Sequence, residues 1–242
     1  EKTSFRRGFQ GESDMFQILE KERLNASVTR LKLAAPLIAA KAEPGQFVIL
    51  RAGPEGERIP LTIADFDRTG GTISVIFQIV GATTKRLDSL CAGDLLQDLV
   101  GPLGKPTETE GLKKVAVVGG GVGCAIAYPI AKKLRDQGAE VHTITGFRTA
   151  ELVLLEREFR GVSTRYFGMT DDGTQGEKGL VTDALRRLLD AGEHYDEVIA
   201  IGPLVMMKFI CLLTCQTGTV DSGLLSCAYS DSLPTFCIAY RV

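Results

Sequence analysis

Tryptophan is absent from this 242-residue chain, histidine occurs only twice, and aromatic residues make up 7% of the composition. With His142 and His194 as its only histidines, the chain offers no credible catalytic triad. The formal net charge is −2 and no lysine/arginine stripe is interleaved with aromatics, which argues against a nucleic-acid or polybasic membrane partner. No apolar run marks the start, so we expect residues 1–14 to be a disordered lead or an expression remnant rather than a secretory signal.

Paired cysteine spacing and long apolar runs are also lacking. None of the six cysteines forms a C-x-x-C pair, which favours a reducing cytoplasm. The most apolar stretch, Val198–Cys215, is interrupted by Gly202-Pro203 and Lys208, whereas a membrane helix needs about 20 apolar residues. We therefore predict a buried strand, a turn and a helix there. Because cysteine is commonly buried, we expect four of the six to be small buried hydrophobes: Cys91, Cys124, Cys211 and Cys215.

Residues 15–110 have the pattern of an all-β domain. Short apolar or alternating runs recur, separated by turns such as Glu43-Pro44-Gly45 and Thr69-Gly70-Gly71. Strands at this spacing predict an antiparallel β-barrel or sandwich, interrupted by one helix at TTKRLDSL. The predicted strands are SVTRLKLAA, GQFVILRA, PLTIADFD, TISVIFQIV and DLLQDLVGPLG.

Residues 111–210 alternate strand and helix, which predicts a second domain with a parallel sheet covered by helices. The boundary falls near Glu110-Gly111, and residues 211–242 form a separate cysteine-rich tail. The predicted series is VAVVGG (strand), CAIAYPIAKKLRDQG (helix), EVHTITGF (strand), ELVLLEREFR (helix), STRYFGMT (strand), VTDALRRLLDAG (helix) and EVIAIG (strand).

A glycine-rich turn at 119–123 joins the first strand and helix of this series. Glycines there permit a tight turn and let the backbone approach a pyrophosphate. The match to G-x-G-x-x-G is imperfect because Cys124 replaces the third glycine, and a turn that is glycine-rich for steric reasons alone remains an alternative. The second strand does not end in the acidic residue that usually binds the ribose of NAD. Arg148 follows this strand instead, and it is either a contact for a 2′-phosphate or a solvated loop residue.

The β domain contains a second turn suited to phosphate. Gly81 opens the predicted helix, the hydroxyls of Thr83 and Thr84 can cap that helix or donate to phosphate, and Lys85-Arg86 add positive charge. Upstream, Arg58 precedes a strand that carries the Thr62 hydroxyl. Each feature alone is also explained as an ordinary cap or edge residue. One phosphate-suited turn in each domain suggests two nucleotides that face each other.

The order of these motifs resembles the ferredoxin–NADP reductase superfamily. They are Arg58…Pro60-Leu61-Thr62, Gly81-x-x-Thr84, GPLG at 101–104, GGGVG at 119–123 and Gly202-Pro203…Met206-Met207. The strings ERIPLTIADFD, TDDGTQGEKGLVTDAL and IGPLVMMK are similar to one branch over about residues 15–210. That branch contains the small subunit of NADH-dependent ferredoxin:NADP oxidoreductase (the sulfide dehydrogenase FAD subunit) and the dihydroorotate dehydrogenase electron-transfer subunit.

The resemblance implies an FAD-binding barrel, an NAD(P)-binding α/β domain and hydride transfer between the cofactors without a catalytic acid or base. The FAD contacts that it implies are Arg58, Pro60, Leu61, Thr62, Gly81, Thr83 and Thr84, with aliphatic stacking by Leu61 where relatives often have an aromatic residue. The NAD(P) contacts that it implies are Gly119, Gly120, Gly121, Val122, Gly123, Arg148, Asp171, Asp172, Gly202 and Met206.

The tail departs from the branch. Relatives end in a segment whose cysteine thiolates hold a [2Fe–2S] cluster, but the cysteines here have the spacing Cys211-x3-Cys215-x11-Cys227-x9-Cys237. No C-x-x-C occurs, so the spacing does not match a family-type cluster or a zinc site. We therefore expect that flavin and nicotinamide binding remain and that the cluster has been lost.

The expected function is a flavoprotein subunit that moves hydride between NAD(P)H and FAD. It would pass electrons to a larger iron–sulfur and flavin subunit related to the glutamate synthase small subunit, with ferredoxin as a further partner. One alternative is the electron-transfer subunit that serves the catalytic subunit of dihydroorotate dehydrogenase. A second alternative, of another class, is a nucleotide-binding module that has lost its electron exit.

Overall fold

The computed structural model describes residues 16–216 and two short strands at 226–227 and 238–241. The predicted lead at 1–14 and most of the tail, including Cys237, lie outside the described residues.

The first half forms an antiparallel sheet of seven strands that curls into a nearly closed barrel, as predicted. The order across the sheet is β6-β1-β2-β5-β4-β3-β7. The strands are β1 (Phe16–Asn25), β2 (Val28–Ala34), β3 (Phe47–Arg51), β4 (Ile59–Asp67), β5 (Thr72–Gln78), β6 (Leu95–Leu96) and β7 (Asp98–Leu103).

Alternation of apolar and polar residues explains why these segments form strands with one buried face. In β2, Leu31 and Leu33 are fully buried while Arg30 and Lys32 remain partly exposed between and beside them. Successive side chains of a strand point to opposite faces, so this pattern places the leucines inside the barrel. β1 was not predicted, because its ten residues include only one buried side chain, Ile18.

Two helices belong to the barrel: α1 (Pro36–Ala39), which was not predicted, and the predicted α2 (Ala82–Ser89). Asp88 fixes the last turn of α2 to the barrel wall. Its Oδ1 accepts a hydrogen bond from Thr29 Oγ1 at 2.6 Å and its Oδ2 one from Arg23 at 2.6 Å, while Lys21 Nζ lies 3.8 Å from Oδ1. Burial alone raises the pKa of the Asp88 carboxyl, but these hydrogen bonds and charges outweigh it and hold the pKa below its usual value.

Asp88→Asn is therefore expected to destabilise the protein by about 2 kcal/mol near neutral pH, because a charge-assisted hydrogen bond contributes roughly 1.5–3 kcal/mol. The lowered pKa in the folded state means that the carboxylate stabilises the fold above about pH 4 and that this contribution is lost as the pH falls further. The difference in the free energy of unfolding between the wild type and Asp88→Asn, measured by urea denaturation, should thus be constant from about pH 7 to pH 5 and disappear below about pH 4.

Asp190→Asn is the matched control for Asp88→Asn, because it removes the same charge from the exposed last residue of another helix. We expect a change within about 0.5 kcal/mol, as is usual for surface substitutions. Equal losses in the two variants would mean that the effect of Asp88→Asn comes from net charge and not from its bonds to β1 and β2.

The second half is an α/β domain, also as predicted, whose sheet order is β11-β10-β9-β8-β12-β14-β13. The neighbours β10, β9, β8 and β12 are parallel to one another, and β14 and β13 add antiparallel strands at one edge. The elements are β8 (Lys114–Gly120), α3 (Cys124–Asp136), β9 (Glu140–Phe147), α4 (Glu156–Val162), β10 (Arg165–Thr170), β11 (Glu177–Lys178), α5 (Val181–Asp190), β12 (Glu197–Gly202), α6 (Leu204–Gln216), β13 (Ser226–Cys227) and β14 (Ile238–Arg241).

The predicted helix ELVLLEREFR is only partly correct. A 3-10 turn at Ala150–Leu152 comes first, and α4 begins only at Glu156. Leu155 has a φ of 59° in the left-handed region, and Leu154 and Leu155 are both buried in the core. The left-handed residue breaks the helical path, because such a φ is incompatible with a continuous right-handed helix. Core packing of the two leucines thus overrides their helix propensity.

The interface between the halves combines an apolar core with ion pairs. Val28, Ala64 and Ile76 of the barrel belong to the same buried cluster as α3 and α4 side chains. Around it, Lys132 Nζ lies 2.7 Å from Asp65 Oδ1 and Lys133 Nζ lies 2.9 Å from Glu43 Oε2. The last strand of the barrel ends at Leu103 and the first of the α/β domain begins at Lys114.

The stretch Val198–Cys215 has the predicted structure of a strand, a turn and a helix, since β12, a turn and α6 occupy it. None of the helices in the described part of the chain is long and apolar enough to cross a membrane. The expectation for the cysteines is only partly correct: Cys124 is buried and Cys211 half-buried, but Cys91 and Cys215 are exposed. Cys91 lies in a turn, and Cys215 lies on the outer face of α6.

Candidate functional site

The two phosphate-suited segments of the barrel lie side by side. Because β4 and β5 are antiparallel, with Ile63 opposite Val75, the start of β4 is next to the end of β5, from which the chain enters α2. Thr83 Oγ1 donates a hydrogen bond of 3.0 Å to Glu57 Oε2, directly before Arg58. The structure thus brings together the Arg58–Thr62 segment and the first turn of α2.

The start of α2 is open to an anion. Gly81 is its N-cap residue, has extended dihedral angles (φ −132°, ψ 179°) and carries no side chain that could accept hydrogen bonds from the first N–H groups of the helix. A Cβ at Gly81 would meet nothing within 4 Å. The first N–H groups of a helix have no intrahelical acceptor and attract negative charge. The backbone at Ala82, Thr83 and Thr84 therefore fits a phosphate group.

The threonine hydroxyls already have hydrogen-bond partners within the protein. Thr84 Oγ1 accepts hydrogen bonds from the N–H groups of Val80 and Gly81, each 3.0 Å long, and donates one of 3.1 Å to Gly81 O. Thr83 Oγ1 is bonded to Glu57. Of the two roles left open by the sequence, local capping describes the Thr84 hydroxyl.

Alternation along β4 separates Leu61 from its neighbours. Leu61 is 4% exposed and belongs to the barrel core, whereas Pro60 and Thr62 are only half-buried on the other face of the strand. Aliphatic stacking of Leu61 on a flavin is therefore wrong, because its side chain points away from the surface that Pro60 and Thr62 share. Any contact of Leu61 with a ligand at this surface is limited to its backbone.

Arg58 belongs to a group of charged side chains that was not predicted from the sequence. Its NH2 lies 2.7 Å from Asp98 Oδ2, and Arg51 Nε lies 2.7 Å from the same oxygen. Arg51 and Asp98 are direct cross-strand partners on β3 and β7. Only the strand register reveals this group, because the residues are far apart in the sequence.

The glycine turn of the α/β domain lies at the carboxyl edge of the parallel sheet. Gly119 pairs with Thr145 of β9 and with Ile201 of β12, so the strands end at similar heights. Arg148 follows β9 and is exposed. Ligands of open α/β sheets bind beyond this edge, so the fold places the turn where a nucleotide is expected.

Two loops at this edge are joined by their backbones. Asp171 N–H donates to Phe147 O at 3.0 Å, and Asp172 N–H lies 3.4 Å from Arg148 O. Hydrogen bonds from the hydroxyl and N–H of Thr174, at 2.7 and 3.0 Å, hold the pKa of the Asp172 carboxyl below its usual value. Asp171 and Asp172 thus lie beside Arg148, and both are exposed.

Three glycines of the turn region are closely packed against neighbouring atoms. A Cβ at Gly120 would lie 2.5 Å from Met206 Sδ, and one at Gly202 would lie 2.6 Å from Met206 Cε. A Cβ at Gly123 would collide with the carbonyl of Ile201. Close packing alone therefore explains why Gly120, Gly123 and Gly202 are glycines, in line with the alternative that this region is glycine-rich for steric reasons.

Gly121 is different because it faces open space. Its φ is +55°, in the left-handed region, and a Cβ there would meet nothing within 4 Å. Gly121, Val122 and Gly123 form a 3-10 turn that leads into α3, and Val122 is partly buried against the core. Of the glycines in this turn, Gly121 is the one that leaves room for a ligand.

The barrel strand that leads to the first open turn reaches the second open turn. Cα atoms of β5 come within 8 Å of those of the turn Gly121–Gly123. The chain continues from β5 through residues 79–81 into α2. The open turns of the two domains are therefore linked through β5.

A charged cleft of about 870 Å³ lies elsewhere, between the barrel and α3, and contains none of the predicted site residues. Its lysines are paired with carboxylates of the cleft, as in Lys132–Asp65 and Lys133–Glu43. Because these charges compensate one another, the cleft is explained as part of the domain interface.

Within the described ranges, one group of side chains has a spacing suitable for a metal ion: Glu140, His142 and Glu193. Lys114 Nζ already lies 3.1 Å from Glu140 Oε1 and 2.5 Å from Glu193 Oε2. The hydrogen bond to Glu193 is the main cause that raises the pKa of Lys114, so the cation of this group is a lysine ammonium. Burial lowers the pKa of His142, which contacts Tyr195 OH at 2.8 Å through Nδ1.

The cysteines of the tail are only partly described. Cys211 and Cys215 lie one turn apart on α6, and the backbone of Cys227 lies in β13. Cys237 is outside the described residues. The prediction that these four cysteines do not form a family-type cluster therefore stays a prediction.

Comparisons with known proteins identify the relatives of the chain; no family model matches it. The dihydroorotate dehydrogenase B (NAD(+)) electron transfer subunit homolog of Thermotoga maritima is 39% identical over 86% of this chain and 73% of the relative. The corresponding electron transfer subunit of Fusobacterium nucleatum is 31% identical over 79% and 76% of the two chains.

A solved structure supports the same assignment. The NADH-dependent reduced ferredoxin-NADP oxidoreductase, described for flavin-based electron bifurcation, superimposes with a TM-score of 0.77 at 37% identity. The match covers 85% of this chain and 74% of the solved chain. With the barrel, the α/β domain and the ordered motifs, these similarities show that the chain belongs to the family of dihydroorotate dehydrogenase B electron transfer subunits, in the ferredoxin reductase-like branch predicted from its sequence.

Proposed function

We propose that this chain is an FAD-dependent NAD(P)H oxidoreductase subunit that passes electrons to a partner subunit. The observation that carries the proposal is the pair of open, anion-accepting turns at Gly81 and Gly121, one from each domain, with β5, which leads to the first turn, in contact with the second. Each turn leads into a helix, so each offers unpaired N–H groups to a phosphate. Family membership supports a flavin at the first turn and a nicotinamide nucleotide at the second.

The barrel would hold FAD through groups that the structure brings together. The N–H groups of the first turn of α2 would donate hydrogen bonds to the diphosphate, and the exposed Arg58 adds a positive charge beside them. Pro60 and Thr62 supply the surface of β4 on the same edge. The bound cofactors supply hydride exchange between nicotinamide and flavin and single-electron release to a partner, so the chain contributes binding and orientation.

The α/β domain would hold NAD(P)H at the turn 119–123. Gly121 leaves the backbone accessible, and Asp171, Asp172 and Arg148 line the neighbouring loops. Arg148 favours a 2′-phosphate, whereas the two relatives are named for NAD(+). Both nucleotides belong in the test for this reason.

The partner follows from the relatives, which are named as electron transfer subunits. We propose the catalytic subunit of a dihydroorotate dehydrogenase or a larger iron–sulfur and flavin subunit as the electron acceptor, with ferredoxin as a further candidate. For the tail we propose that no [2Fe–2S] cluster is bound, on the ground of the cysteine spacing.

The purified chain is expected to bind one FAD per monomer and to lose the oxidised flavin absorbance when NADH or NADPH is added without oxygen. Visible spectra before and after each nucleotide, with iron analysis on the same sample, provide the measurement. A yellow, iron-free protein that is bleached by nucleotide supports the proposal together with loss of the cluster.

Other outcomes contradict particular parts of it. A brown, iron-containing protein would overturn the proposed loss of the cluster and leave the flavin assignment intact. A yellow protein that neither NADH nor NADPH bleaches would overturn the nicotinamide assignment. A colourless protein that takes up no FAD would overturn the proposed function.

A further inference from the structure

The arginine pair at the barrel edge shares one carboxylate. Arg51 Nε and Arg58 NH2 each lie 2.7 Å from Asp98 Oδ2. Two guanidinium groups against one carboxylate leave a net charge of +1. The group therefore stays attractive to an anion although Asp98 is part of it.

The three side chains are not equally fixed. The side chains of Arg51 and Asp98 are 22% and 27% exposed, while that of Arg58 is 59% exposed. Arg51 NH1 also lies 3.3 Å from Pro54 O, which ties it to the loop that follows β3. Arg51 and Asp98 thus form a half-buried anchor, and Arg58 is an exposed arm held by this anchor.

The residue that precedes the arm contacts the first turn of α2. Glu57, which precedes Arg58, accepts the hydrogen bond of Thr83 Oγ1 at 3.0 Å. Further along the same loop, a Cβ at Gly53 would lie 3.1 Å from the NH2 of Arg86, one turn further along α2. The loop 52–57 therefore runs along α2 and fixes where Arg58 begins relative to the helix.

Asp98 has two opposing effects on the binding of an anion at the N-terminus of α2. Its negative charge repels the anion and competes for Arg58, whereas its bond to Arg58 restricts a long, flexible side chain to one region in advance. Arg51 lies 2.7 Å from the carboxylate and neutralises it at close range, which weakens the first effect. Loss of side-chain freedom is a large cost of binding, and restricting it beforehand favours affinity.

We propose that Asp98 is a positioning residue that holds the guanidinium of Arg58 at the N-terminus of α2, where it meets the diphosphate of FAD. The inference rests on the proposed function, since it concerns the same FAD site. Asp98 touches Arg58 and acts on FAD affinity through it.

A double-mutant cycle of Asp98→Asn and Arg58→Met, read out as the dissociation constant of FAD, tests the proposal. We expect Asp98→Asn alone to weaken FAD binding about tenfold and Arg58→Met alone by more, because charge-assisted hydrogen bonds are the strong ones. In the Arg58→Met background, Asp98→Asn should change the FAD dissociation constant by less than about twofold. This comparison also cancels the effect of leaving Arg51 without its partner.

The same four proteins are examined by thermal unfolding without FAD and for the KM of NAD(P)H. A loss of FAD affinity for Asp98→Asn that is equally large in both backgrounds would show a merely structural role and overturn the proposal. Tighter FAD binding by Asp98→Asn would show that competition wins, which also overturns it. If the wild type binds no FAD, the proposed function itself fails, so the two failures are distinguishable.

Discussion

Gly81→Asp is expected to lose FAD almost completely while the FAD-free protein remains folded and becomes slightly more stable. The dihedral angles of Gly81 are extended and open to any residue, and its Cβ position is empty, so the substitution causes no strain. Aspartate is a strong N-cap, because its carboxylate accepts hydrogen bonds from the N–H groups of the first turn. The same carboxylate then occupies the proposed diphosphate position with a negative charge.

The size of the loss follows from electrostatics. Two like charges 4 Å apart near a protein surface repel by about 4 kcal/mol, and 1.4 kcal/mol is a factor of ten in affinity. Even with partial screening we expect the FAD dissociation constant to rise at least 100-fold. Fluorescence titration of the apoprotein with FAD measures it, and thermal unfolding measures the stability.

Two variants at the same position separate charge from capping. Gly81→Asn caps about as well as aspartate but carries no charge, so it should weaken FAD by only about tenfold. Gly81→Ala leaves the N–H groups available and should bind FAD within a few-fold of the wild type, at a cost of up to about 1 kcal/mol in stability. Unchanged FAD affinity in Gly81→Asp would show that the diphosphate does not bind at α2.

Much of the architecture was predictable because the barrel strands and the parallel strands follow simple apolar patterns. β1 was not, since nine of its ten residues are wholly or partly exposed and it is held by pairing with β2 and β6. The helix predicted at ELVLLEREFR failed for a different reason, the tertiary packing of Leu154 and Leu155. In both cases partners distant in sequence decide the local structure.

In the candidate site, too, local features were predictable and contacts between distant segments were not. The turns at Gly81 and at 119–123 were visible as glycines between a strand and a helix, and alternation along β4 alone could have placed Leu61 inside the barrel. Which glycine of the second turn is open was not predictable, because Met206 fills the space beside Gly120 and Ile201 the space beside Gly123, and both lie far along the chain. The Arg51–Asp98 pair likewise depends on the register of β3 and β7.

Gly121→Asp is expected to abolish the use of NAD(P)H at ordinary concentrations while FAD binding is retained. The φ of Gly121 is +55°, a conformation that aspartate and asparagine tolerate better than other side chains, and the Cβ position is empty. The added carboxylate would lie at the N-terminal end of the turn before α3, where the nucleotide phosphates are proposed. By the same electrostatics as at Gly81, we expect the dissociation constant of NAD(P)H to rise about 100-fold.

Anaerobic stopped-flow reduction of the bound flavin, followed over a range of NAD(P)H concentrations, measures this change, and Gly121→Asn is the matched control. Asparagine has the same shape and the same tolerance of this φ without the charge, so its effect should stay within about tenfold. Equal effects of the two variants would indicate steric exclusion alone, and no effect of either would place the nucleotide elsewhere. If charge at Gly81 expels only FAD and charge at Gly121 weakens only NAD(P)H, the two open turns are separate sites that serve one electron-transfer path.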